Sequence, residues 1–170
     1  MSEIDIGPGA VNPTSSIGGQ DDTWLDLHNP ANDSGIIDTV EIWVQTTTDN
    51  TKVGMFYNTG GSNYKCRSAA TLGPVASGAK RTFTELELTV EAGDVIGVWN
   101  DGGAMGQITT GGTHVCRSDD NTDHMTPGDE ADYSTGWDDW RLTIYGTGQT
   151  LDEAILVGSP VSQAMAEGLI

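Results

Sequence analysis

Among the residues that could do chemistry, the acidic stretch at 119–130 has the most ordered spacing. It reads DDNTDHMTPGDE. Asp119, Asn121 and Asp123 recur at every second position, and Glu130 falls at the twelfth, as oxygen ligands do in an EF-hand calcium loop. The sixth position of such a loop turns sharply and takes Gly, whereas here it is His124. The flanking sequence lacks helical periodicity, so an EF-hand is excluded. A looser calcium site from Asp119, Asn121, Asp123, Asp129 and Glu130 stays open, because oxygens gathered on a loop suit a hard cation. The competing reading is an acidic loop that simply faces water.

Cys66 and Cys116 are the two cysteines, and each is followed by Arg-Ser. A disulfide between them would close a loop of about 50 residues, worth about 4 kcal/mol in the chain-entropy account. The alternative is two buried thiols acting as small apolar side chains. The start MSEIDIGPGA has no basic or apolar leader pattern, which favours the thiols. His114, Cys116 and His124 are too few and too irregularly spaced for a zinc centre. Glu85 and Glu87 share one strand face, where paired carboxylates could act on a glycosidic bond. With 25 acids in the chain such a pair arises by chance. No G-x-S-x-G, H-E-x-x-H or phosphate-binding glycine loop occurs, so the chain reads as non-enzymatic. Trp43 lies on the polar face of a strand beside Glu41 and Gln45. There it could stack on a sugar, anchor a protein contact, or lie under a loop. Asn32-Asp33-Ser34 is a glycosylation tripeptide.

The 25 acids face only 7 bases, a formal charge of −18. That field repels phosphates and anionic membranes, so nucleic acid is a poor partner. No apolar run reaches the ~18 residues of a membrane span, so no membrane insertion is expected. Dense Asp with scarce Lys also suits solubility in high salt.

The elements that must position these residues are strands. The chain contains 23 glycines, and one pattern occurs twice: VGMFYNTGGSNYKCRS at 53–68 and IGVWNDGGAMGQITTGGTHVCRS at 96–118. Each copy has an aliphatic residue, a Gly, an apolar residue and an aromatic, then a Gly-Gly turn, and ends Cys-Arg-Ser. Both read as β-hairpins. Val40, Ile42 and Val44 alternate with polar residues, as do Leu86, Leu88 and Val90 within a strand over 81–90. The last strand is expected over 139–145. About eight to ten strands follow, enough for an all-β, jelly-roll-like β-sandwich. The division is an N-terminal arm at 1–22, the sandwich at 23–148, and an apolar C-terminal tail at 149–170. The tail holds Ile155, Leu156 and Val157, then Val161, Met165 and Leu169 on one side of a short helix. A tail this apolar packs on its own sandwich or docks on a neighbour.

Several ordered segments carry a resemblance: IDIGPGA (4–10), NPAN-x-SG (29–35), I-x-T-VEIW (37–43), KVGMFY (52–57), CRSAATLG (66–73), L-x-VEAGDVIGVW (88–99) and LTIYGTG (142–148). Together they resemble small all-β structural proteins of tailed phages and environmental viral contigs. The resemblance implies a virion structural protein that decorates a capsid, or belongs to a tail or fibre. It implies self-association into a homo-oligomer and contact with other virion proteins. It brings no catalytic residues, and the apolar tail departs from its pattern. The alternative function is a carbohydrate-binding, lectin-like adhesin, extracellular and gripping glycans with or without calcium.

Overall fold

The structure, a computed structural model, describes residues 2–18 and 21–151. The described residues contain fifteen strands. In chain order they are β1 (Glu3–Ile6), β2 (Ser15–Ser16), β3 (Trp24–Asp26), β4 (Gly35–Ile42), β5 (Thr48–Gly60), β6 (Asn63–Val75), β7 (Arg81–Phe83) and β8 (Leu88–Val90). There follow β9 (Val95–Trp99), β10 (Gly106–Ile108), β11 (His114–Arg117), β12 (Glu130–Asp132), β13 (Thr135–Asp138), β14 (Arg141–Leu142) and β15 (Ile144–Thr150).

The protein is all-β, a sandwich of two large antiparallel sheets. One has the order β1-β15-β4-β7, with β8 following β7 along the same edge of β4. The other has the order β12-β6-β5-β9-β3-β11-β13. A small sheet, β14-β10-β2, completes the set. The alternation read from sequence places Val40, Ile42 and Val44 in the main core, with Ile4, Ile6, Ile37 and Ile144 from the same sheet. Facing them are Val53 and Met55 of β5, Ile96 and Val98 of β9, and Trp24 and Val115. Ile37 and Val40 both point inward although three positions apart, because the ladder with β15 shifts register there and Asp38–Thr39 forms a bulge.

The seven-stranded sheet is curled. β12 and β13 lie at its opposite edges, yet only Tyr133 and Ser134 separate them in the chain. The two edges must therefore nearly meet. The concave face holds a second core: Leu25, Phe56, Cys66, Val95, Trp99, Cys116, Met125 and Tyr133.

The repeated pattern acquires its meaning here. Gly54 of the first copy and Gly97 of the second are directly paired across β5 and β9. Their inward neighbours feed the main core, while the glycines face the second. A Cβ on Gly97 would lie 2.7 Å from both Leu25 Cδ2 and Phe56 Cε2. One on Gly54 would lie 2.8 Å from Met125 Sδ and 2.9 Å from Phe56 Cε2. The paired glycines thus form a depression that receives Phe56, Leu25 and Met125.

Several sequence expectations need correction. The first copy is a hairpin, β5–β6, but the second is not: β9 and β11 are separated by β3, which pairs with both. The strand expected over 81–90 is two, β7 and β8, interrupted at 84–87, where Glu85 adopts φ 62°. The strand expected over 139–145 is likewise broken between Leu142 and Ile144, and β15 continues to Thr150. These interruptions and short strands raise the number above ten. The segment read as an arm supplies β1 and β2, and β1 pairs with β15.

Candidate functional site

The acidic segment after β11 lies over the second core as a lid. Met125 reaches down into that core. Cys66 N–H donates to the Asp129 carbonyl at 2.8 Å, and Gly128 N–H donates to the Cys66 carbonyl at 2.8 Å, so the lid is stitched to β6. On the other side the Asp22 carboxylate, 3% exposed, accepts the backbone N–H groups of Asp120 (3.0 Å) and Asn121 (2.9 Å). Thr23 Oγ1 accepts His124 N–H at 3.0 Å and donates to the Thr122 carbonyl at 2.9 Å.

The His124 ring is buried between two carboxylates. Nε2 is 2.8 Å from Asp120 Oδ2, and Nδ1 is 2.9 Å from Asp129 Oδ2. Carboxylates only accept, so both ring nitrogens must carry protons and the ring is an imidazolium. Burial opposes that charge, but the Asp129 and Asp120 carboxylates outweigh it and hold the pKa above the ordinary histidine value.

The five calcium candidates are not brought together. Asp119 pairs with Arg117, Asp123 with Lys52, Asp129 with His124, and Glu130 with Lys65 and Thr59. Asn121 is held through its backbone by Asp22. Among the described residues no group of three or more His, Cys, Asp or Glu side chains is placed to hold a metal ion. Spacing along a loop sets a ligand order only if the loop wraps on itself. This loop instead lies flat on a sheet, and cationic side chains of the sheet and lid take the carboxylates one by one.

Cys66 and Cys116 both face the second core and are unbonded. Burial pushes both thiols up to about 12, so neither is a ready nucleophile. His114 and His124 belong to different surroundings, one paired with Asp138 and the other inside the lid. Glu85 and Glu87 are exposed on the 84–87 interruption. Trp43 is half-buried just beyond β4, its backbone bonded in both directions to Thr143. The tail candidates Ile155, Leu156, Val157, Val161, Met165 and Leu169 lie outside the described residues. Asn32 uses its side-chain amide against β1: Oδ1 accepts Asp5 N–H at 3.0 Å and Nδ2 donates to the Glu3 carbonyl at 3.3 Å. It thereby covers part of an open sheet edge.

Beside the second core the curl leaves an open cleft of about 340 Å³. Leu27, Tyr64, Tyr133 and Cys116 form its apolar wall. Gly61 and Ser62 of the hairpin tip, with His114 and Ser134, form the polar rim. Sequence reasoning missed this cleft, because its residues come from four separate stretches that only the curl assembles. It also missed Asp22, Asp26 and Asp94, which stand out only by their burial. Asp94, for example, is the buried partner of Arg67, at 2.6 Å and 3.1 Å.

No known family model matches the chain, and a search of curated proteins finds no match. The functional reading therefore rests on the residues and their arrangement.

Proposed function

We propose that the chain is a non-enzymatic virion structural protein, a capsid-decorating or tail or fibre component. It acts by docking copies of itself and neighbouring virion proteins. The observation that carries this reading is where apolar surface is offered. Among the described residues the exposed large apolar side chains are Val11, 41% exposed, and Leu151, 67% exposed. No other large apolar side chain among the described residues is this exposed, and the reading assigns adhesive contact to the segment that follows Leu151. That segment contains Ile155, Leu156, Val157, Val161, Met165 and Leu169.

The exit point suits a tether. Ser2 N–H donates to Thr150 Oγ1 at 2.9 Å, and Thr150 N–H donates to the Ser2 carbonyl at 3.0 Å. The start of β1 and the end of β15 therefore leave the sandwich together, and one attachment at that end presents the whole body outward. The acidic exterior keeps unassembled copies apart and soluble. The resemblance of the ordered segments between 4 and 148 to phage structural proteins supports the virion setting.

The test is particle occupancy with a chain truncated after Leu151, which leaves β15 whole. Loss of the truncated chain from particles, with the sandwich still folded, is the expected result. Full occupancy would sink the tail's role.

A further inference from the structure

We propose that the cleft between the β5–β6 hairpin tip and β11–β13 is a binding site for a neutral sugar. The proposal is independent of the docking role of the tail. The first observation is the charge of the cleft. The chain carries 25 acids, yet none of the described residues lining this cleft is a carboxylate. A second hollow, about 280 Å³ beside the ends of β1 and β15, shows the contrast, for it is lined by Glu3 and Asp38. Anionic ligands are repelled by the overall field. A cation would seek a free carboxylate, but those nearest the cleft are already engaged. Both oxygens of Asp132 accept hydroxyls, from Ser62 and from Ser134, and Asp138 Oδ1 accepts from His114. What lines the cleft, among the described residues, is hydroxyl, imidazole, thiol and apolar surface.

The second observation is that the polar groups of the rim are held in place by neighbouring carboxylates. Ser62 and Ser134 commit their protons to Asp132, so each offers oxygen lone pairs to a hydroxyl donor. His114 Nδ1 is 2.7 Å from Asp138 Oδ1, and Asp138 is 93% exposed, so the pair adds little to stability. Its effect is to orient the imidazole. Gly136 makes room for that pose, since a Cβ there would lie 2.3 Å from His114 Nε2. The third observation is the apolar wall. Tyr64 meets Tyr133 edge to face, with centroids 5.9 Å apart and planes at 90°. This contact fixes the half-buried Tyr64 ring, against which the C–H face of a pyranose can lie. A volume of about 340 Å³ is at the small end of ligand sites, which span roughly 300–1,000 Å³, and fits a single sugar unit. Trp43, the aromatic singled out from sequence for a sugar, is not among the residues of this cleft.

The experiment is an NMR titration of the full chain with glucose, galactose, mannose and N-acetylglucosamine, and with a simple alkylamine as the cationic comparison. Saturable shifts centred on Ser62, Tyr64, His114 and Ser134 with at least one sugar are expected. Tyr64→Ala and, separately, the rim variant His114→Gln should each weaken binding at least tenfold, with circular dichroism unchanged. Trp43→Ala should leave it unaltered. Absence of saturable shifts at the cleft with every sugar would overturn the proposal. So would preference for the amine, or full affinity in a folded His114→Gln protein.

Discussion

Asp26 is the acid most at odds with its surroundings. It is fully buried, and its oxygens accept Leu142 N–H at 2.6 Å and His28 N–H at 2.7 Å. Burial raises its pKa from 3.8 to about 7, although those two N–H groups and the charge of Arg141 pull the other way. The folded chain therefore holds this proton more tightly than the unfolded chain does. Between about pH 3.8 and about pH 7 the contribution of Asp26 to stability falls as pH rises, by up to about 4 kcal/mol. Asp26→Asn should flatten that part of the curve in urea unfolding from pH 4 to 8. His124 acts with the same sign within the lid, in a higher pH window. Its folded pKa is raised, so its stabilisation is complete below about pH 6.5 and is lost as pH rises through the folded value. A neutral ring can donate to only one of Asp120 and Asp129. Amide exchange over 118–129 should accelerate at least tenfold above that value, after correction for intrinsic rates, and this pH step should vanish in His124→Phe. Tyr133 offers a simpler check. Its hydroxyl is buried with no hydrogen-bond partner among the described residues, so Tyr133→Phe should keep or raise stability, by about 1 kcal/mol.

At the scale of elements, the paired glycines make the second core. Gly97→Ala should force Leu25 and Phe56 apart and cost about 1–3 kcal/mol in thermal or urea unfolding, and Gly54→Ala should also displace Met125 and loosen the lid. The glycines were legible in sequence as a repeated pattern, and so was the inward set Val40, Ile42 and Val44, because strand alternation is local. Their partners were not legible. That Gly54 lies opposite Gly97 depends on β5 and β9 being neighbours, and nothing in either segment encodes adjacency. The second hairpin misled for the same reason, since the strand that intervenes, β3, comes from far upstream. The break at Glu85 was hidden because Leu86 and Leu88 keep the alternation across it. The acidic loop had legible spacing, but Asp22 and Lys52, which help set what that loop does, lie about a hundred and about seventy residues before it.

Across the whole molecule, the curl of one sheet is the organising event. It creates a second core, places a lid on it and opens a cleft at its mouth. Bases are few, and most hold particular acids: Arg67 holds Asp94 and Glu91, Arg117 holds Asp22 and Asp119, and the lysines hold Asp123, Glu130 and Glu41. The remaining acids repel, and the proposed self-association would have to overcome that repulsion through apolar contact. Salt should therefore favour assembly by screening. The most direct test is the solution mass of the full chain against the chain ending at Leu151, by light scattering at moderate salt with circular dichroism on both. The full chain is predicted to form a defined oligomer and the shortened chain to be a folded monomer. Equal oligomers from both chains, or a monomeric full chain at every concentration and salt level, would contradict the assignment of docking to the apolar tail.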